Sequence, residues 1–323
     1  MNIDSKNIEI IPSKNQLHLF GYDEYFNSFI RLFKKNKLPN VILLSGLKGS
    51  GKATFAYHFI NYLLSNNEEY EYSLNDFSIN PNNKSYKLLC NYTHPNFFLL
   101  ENEPLDENIK IDKARNVIKF LSKSSYNSNI RIVLIDNAEY LNLNSANSLL
   151  KIIEEPNINT FFFIINNSNR KILDTIKSRC IEFKFFFTLP QKKKILEKII
   201  STYENDFNIE NIDDNFYFDT PGNILRYLMI FNNSKMKSYQ DKISCVSYLI
   251  NQYKIKKDPE LLTSISTLIE LFYNELALRS KKNLNIYFYN RSKILNQINH
   301  AKIFNLDKKN LFITIIDMLK NES

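Results

Sequence analysis

Glycine is scarce here. The chain has 323 residues, yet only 5 are glycine and 9 proline, which excludes collagen-like and glycine- or proline-rich low-complexity readings. Three cysteines, at positions 90, 180 and 245, cannot build a disulfide framework or a four-thiolate zinc site. They fit a reduced, cytoplasmic compartment. Long apolar runs are missing too. The longest, Phe161 to Ile165, and shorter ones such as Phe185 to Phe187 fall far short of the ~20 residues of a membrane span. Met1 to Ile11 carries Asp4 and Glu9 and does not read as a secretory signal. What remains is an ordinary globular balance, 44% apolar and 24% charged, long enough for two or three domains. Net charge is +8, and residues 241–323 hold 13 Lys/Arg against 8 Asp/Glu. A modest positive field favours acidic partners, nucleic acid included. An Asn-, Lys- and Ile-rich composition also produces it with no partner at all.

Three of the five glycines, Gly46, Gly49 and Gly51, fall within six residues. The run Gly46-Leu47-Lys48-Gly49-Ser50-Gly51-Lys52-Ala53 fits G-x-x-x-x-G-K, with Ala where Ser or Thr belongs. Small residues let successive backbone N–H groups wrap a phosphate at a helix N-terminus, and Lys52 would reach its outer oxygens. The flanks fit the motif: Val41 to Leu44 reads as a buried strand, Thr54 to Leu64 as a helix. The nucleotide-binding set is therefore Gly46, Gly49, Ser50, Gly51, Lys52, Ala53 and Thr54. Ala53 lacks the hydroxyl that holds Mg²⁺. Thr54 cannot substitute, because one further residue rotates a side chain ~100° around a helix.

A second acidic position is also incomplete. Ile132-Val133-Leu134-Ile135-Asp136 reads as a strand ending in an acid able to orient Mg²⁺ through water. The next residue, where a base would activate the attacking water, is Asn137, and an amide cannot take that proton. Glu139 is a displaced candidate base or the start of a surface helix. Both losses predict impaired hydrolysis over a retained cradle.

Strands are expected at 96–100, 130–135 and 160–165, with helices at 112–121 and 145–155, the last stopped by Pro156. Residues 65–88 read as a loop or insertion. Alternating strands and helices predict an α/β fold with a parallel sheet. Beyond 185 helical spacing takes over, at 190–203, 221–231, from Asp258-Pro259 through Leu276, at 284–300 and at 307–320. This divides the chain into a P-loop domain (1–185), a small helical lid (186–240) and a helical bundle (241–323).

On these residues the chain resembles the delta-prime subunits of bacterial DNA polymerase III, in the clamp-loader group of AAA+ proteins. His18-Leu19-Phe20-Gly21 and Leu38-Pro39-Asn40 resemble the family's opening, and Gly51-Lys52-Ala53-Thr54 a form of its loop. His94-Pro95-Asn96 is similar to its HPD element. Asn144 to Pro156 is similar to N-x-x-N-A-L-L-K-x-L-E-E-P, and Ile176-Lys177-Ser178-Arg179-Cys180 to I-R-S-R-C. Pro221-Gly222-Asn223 resembles the lid's P-G-R with Asn for Arg, and Asn305 to Lys309 a tail segment. The interval that carries four zinc-binding cysteines in many relatives holds only Cys90, so no zinc is expected.

The resemblance implies a stator-like subunit that presents Arg179 as an arginine finger to ATP on a neighbour. It also implies a helical collar and partners in the other loader subunits, the sliding clamp and, through the complex, primed DNA, with no membrane. No cofactor is required, and weakly bound ATP or ADP is compatible with the cradle. Asn166 and Asn167 stand where the family has a polar sensor. Cys180 reads as a packed thiol rather than a nucleophile, and His94 as a turn residue rather than a ligand. The rival readings are an active ATPase motor of the same loader and a P-loop small-molecule kinase.

Overall fold

The computed structural model describes residues 10–102, 108–122, 130–167, 171–203, 217, 219–233, 242–303 and 308–322. They fall into two compact units, one of Ile10–Asn205 with Asp219–Leu225 and the other built from Arg226 onward.

In chain order the first unit carries α1 (Asp23–Lys34), β1 (Val41–Gly46), α2 (Lys52–Leu64), α3 (Lys84–Cys90), β2 (Phe97–Leu100), α4 (Ile111–Ser122) and β3 (Arg131–Ile135). There follow α5 (Leu143–Glu154), β4 (Thr160–Asn167), α6 (Asp174–Lys177), β5 (Ile181–Lys184), α7 (Leu189–Thr202) and the first turn of α8 (Pro221–Asn233). The strands form one sheet in the order β2-β3-β4-β1-β5, every neighbouring pair parallel. Composition explains the order. β3 and β4 are buried along their whole lengths and β1 along nearly all of its own, and they take the centre. β2 and β5 are only partly buried and take the edges.

Strand alternation sends Ile42 and Leu44 to one face, where Phe26, Phe29, Phe55 and Phe59 of α1 and α2 cover them. Val41 and Leu43 join the opposite layer with Val117 of α4 and Leu149 and Ile153 of α5. The register aligns Gly46 with Asn167 and Leu100 with Ile135. The C-terminal ends of β1, β3 and β4 therefore share one edge of the sheet, where a phosphate loop belongs.

The parallel α/β sheet expected from the sequence is present, with corrections. β5 and α1 were not foreseen. β5 is a four-residue edge strand with Glu182 and Lys184 in it, so it has no apolar run to show. Residues 65–88 are not all loop, since α3 starts at Lys84. Its signal is a cap rather than a periodicity: the Asn83 side chain accepts from Tyr86 N at 2.6 Å. β4 continues through Asn166 and Asn167, two residues past the expected end.

The second unit holds α9 (Lys242–Lys256), α10 (Pro259–Arg279), α11 (Leu284–Ile303) and α12 (Lys309–Glu322), packed on one another. Val246, Leu249, Ile265, Leu268, Ile294, Ile298, Ile315 and Leu319 are fully buried between them. α9 is an addition to the expected bundle. Within α10, Leu261–Arg279 is long and apolar enough to cross a membrane, but half of it is buried, as in a core helix of a bundle. Of the tail segment Asn305 to Lys309, residues 305–307 lie outside the described residues, as do 204–216, 218 and 234–240 of the expected lid.

Candidate functional site

Between β1 and α2 the chain turns through Leu47 to Gly51. Gly49 (φ +82°) and Gly51 (φ +87°) adopt the left-handed backbone that glycine alone reaches without strain. Gly49 has a second constraint, because a Cβ there would lie 2.4 Å from Thr220 Oγ1 and 2.9 Å from Asn223 Oδ1.

Every carbonyl from 46 to 50 accepts a hydrogen bond from within the unit. Lys52 Nζ donates to Gly46 O at 2.9 Å and Leu47 O at 2.8 Å. Thr220 Oγ1 donates to Lys48 O at 2.8 Å, and Gly222 N to Gly49 O at 2.9 Å. The Tyr22 hydroxyl donates to Ser50 O at 2.5 Å. Lys52 is thus folded back on its own loop, 3% exposed. Burial lowers its pKa to about 8, while the charges of Asp136 and Glu139 hold it up in part. Ser50 is buried, its hydroxyl 3.5 Å from Lys52 Nζ. Ala53 packs against the apolar layer, and Thr54 is half-buried one residue on.

Asp136 follows β3 and is half-buried. Its pKa is pushed up to about 6, first by burial and then by Glu101 and Glu139, against the opposing pull of Asn137 N–H and Lys52. The Asn137 amide donates to Asp136 Oδ1 at 2.8 Å. Asn137 itself is left-handed (φ +54°), a conformation Asn tolerates. Its Oδ1 accepts from Asn167 Nδ2 at 2.9 Å. Glu139 is taken up at the same place, accepting from Asn167 N at 3.2 Å and Asn167 Nδ2 at 3.0 Å.

Asn166 and Asn167, adjacent in sequence, have different surroundings because both lie on β4, where successive side chains point to opposite faces. Asn167 meets Asn137 and Glu139. Asn166 pairs in register with Ser45, and its Oδ1 is buried with no partner among the described residues.

Arg179 lies elsewhere, just beyond the C-terminus of α6, its side chain 31% exposed. NH1 donates to Thr175 O at 2.9 Å and to Ser178 Oγ at 3.4 Å, and NH2 to Glu154 Oε2 at 3.4 Å. Cys180 donates its thiol to Ile176 O at 3.1 Å, and burial and Glu182 push its pKa to about 12, which removes nucleophilic character. His94 accepts from Asn96 N at 3.2 Å through Nδ1, holding the turn before β2.

Residues 21–188 match the sequence family described as DNA polymerase III, delta subunit. The chain belongs to that family.

Relatives within it share modest identity. The delta' subunit of Pseudomonas aeruginosa DNA polymerase III is 34% identical over 140 residues, 43% of this chain and 41% of that protein. That of Buchnera aphidicola subsp. Schizaphis graminum is 28% identical over 187 residues, 58% and 54% of the respective chains. The Escherichia coli K12 subunit is 25% identical over 155 residues, 48% and 45%. The matched stretch thus spans about half the length of these relatives. Among solved structures, a Thermotoga maritima DNA polymerase III gamma subunit-related protein aligns over 92% of this chain and 99% of its own, at 16% identity and a TM-score of 0.47.

Three residues that contact these candidates were not themselves among them: Tyr22 and Thr220 at the glycine loop, and Glu154 at Arg179. Tyr22 follows Gly21 with no distinguishing spacing, and Thr220 is 172 residues from its loop partner. Glu154 lay in view, inside the Asn144–Pro156 segment.

Proposed function

We propose that this chain is a stator-like subunit of the clamp loader of the replicative DNA polymerase III, cytoplasmic, and that it supplies Arg179 in trans to ATP held by a neighbouring subunit. The observation that carries the reading is a contrast within one unit. Lys52, the group that should greet a phosphate, is buried on Gly46 O and Leu47 O, whereas Arg179, paired with the exposed Glu154, keeps 31% of its side chain open to solvent. A planar guanidinium offers forked donors to charge developing on a transferred phosphoryl group. The chain's own machinery supports the same reading. Ala53 offers no hydroxyl to a metal ion, Asn137 cannot act as a base, and Glu139 is engaged by Asn167. The cradle is compatible with ATP or ADP held weakly as a structural ligand. Partners would be the other loader subunits, meeting the helices of the second unit, with the sliding clamp and primed DNA reached through the complex.

The test is Arg179→Ala in a reconstituted loader. Steady-state ATP turnover should fall steeply, toward the ~10³-fold at the lower end of arginine-finger effects, with assembly by native mass spectrometry unchanged. Unchanged turnover overturns the reading.

A further inference from the structure

The segment Asn144–Pro156 has no part in the phosphate loop, but the fold brings its end to Arg179. Ile176 of α6 sits fully buried in the apolar layer that also holds Leu149 and Ile153 of α5. With α6 seated on α5, Glu154 reaches the guanidinium, Oε2 to NH2 at 3.4 Å. Thr175 O takes NH1, and Nε is buried without a hydrogen-bond partner among the described residues. The guanidinium is thereby held at both terminal nitrogens, one by its own helix and one by its neighbour.

Glu154 is oddly placed for any purpose of its own helix. It is the last residue of α5, next to Glu155, where the carbonyl end of the helix dipole disfavours an anion. A carboxylate there costs α5 a little stability, and the partner that offsets the cost is Arg179. We infer that Glu154 is a positioning residue, which fixes the direction of the Arg179 guanidinium before a neighbouring protomer's triphosphate arrives. This rests on the finger reading above. A long side chain held in its working direction loses less freedom when the phosphate binds, so orientation is settled in advance. The pair is also weak enough to yield. Glu154 is 58% exposed and Arg179 31%, and exposed pairs of this kind are readily exchanged for a more highly charged anion.

The experiment uses the reconstituted loader with four versions of this chain: Glu154→Ala, Glu154→Gln, Arg179→Ala and the Glu154→Ala/Arg179→Ala double variant. Glu154→Ala should lower kcat for ATP by about two- to fivefold, the scale of an exposed ion pair, with KM unchanged. Glu154→Gln keeps an acceptor oxygen and should recover most of that loss. The double variant should be no slower than Arg179→Ala, because the two residues act as one unit. If Glu154→Ala leaves kcat unchanged, or its loss adds in full to that of Arg179→Ala, Glu154 does not act through Arg179 and this inference fails while the finger stands. If Arg179→Ala is itself without effect, the finger reading fails and this one falls with it.

Discussion

Thr220 donates its hydroxyl to the carbonyl of Lys48 across 2.8 Å, and two residues later Gly222 N donates to Gly49 O at 2.9 Å. The residues that open α8 are therefore a second wall of the glycine loop. Thr220→Val should cost about 1 kcal/mol, the worth of one hydrogen bond. Gly222→Ala should cost about 1–3 kcal/mol, because its Cβ would stand 2.7 Å from Gly49 O and backbone would have to move. Urea unfolding of the two variants beside the wild type checks the size and the order. Equal midpoints for Gly222→Ala and wild type would show that the contact is loose.

Tyr22 braces the same loop at Ser50. Its ring packs at 4.9–5.3 Å from Phe185, Phe187 and Phe55, and its hydroxyl reaches Ser50 O. Tyr22→Phe keeps the ring and strips the donor from a buried carbonyl, so about 1–3 kcal/mol should be lost. The same denaturation assay reads it, and a variant as stable as wild type would mean that water replaces the hydroxyl.

The purified chain should release no phosphate from ATP above a blank. Ala53 and Asn137 remove two catalytic groups, and Lys52 is already engaged. Single-turnover hydrolysis with radiolabelled ATP is the measurement, and robust turnover by contaminant-free protein contradicts the expectation.

Acid should destabilise the fold below neutrality. Burial lowers the pKa of His58 to about 3 and of His94 to about 4, against an ordinary 6.5, so on acidification the unfolded chain binds two protons that the folded chain refuses. Stability contributed by both groups is present above pH 6.5 and lost as the pH falls toward 4. Asp136 works against them. Its folded pKa is about 6 against 3.8 unfolded, so it takes a proton on folding and favours the native state within that window. Glu101, also raised by burial, works the same way as Asp136, so the net fall is concentrated between pH 6.5 and pH 6, before these carboxyls begin to take up protons. Urea midpoints at pH 7 and pH 6 should show it, with a smaller fall in His94→Gln. A midpoint higher at pH 6 would reverse the assignment.

Much of the site could be read before any coordinates. The glycine spacing, Lys52 and the strand ending in Asp136 carry their own local signal, since a tight turn, a helix start and a buried strand are decided over a few neighbouring residues. The missing hydroxyl at Ala53 and missing carboxylate at Asn137 were equally plain. β5 was not legible, because an edge strand half in water shows no apolar run, and α3 was hidden in a polar stretch where one Asn83 cap decides the matter. Asn166 and Asn167 show the limit within a single strand. Sequence expected both just past β4, whereas both lie within it, and the pleat separates the one that meets Glu139 from the one paired with Ser45.

By itself, the sequence determined the family, the α/β order of elements, the loop and the groups it lacks, since these depend on residue type and short-range spacing. Tertiary structure decided that Lys52 folds onto its own loop, that Thr220 and Tyr22 brace it, and that Glu154 meets Arg179. Each of those is a contact between side chains or loops brought together by sheet register or helix packing. A hydrogen bond acts over about 3 Å of space whatever the separation along the chain, so nothing in the order of residues could announce it.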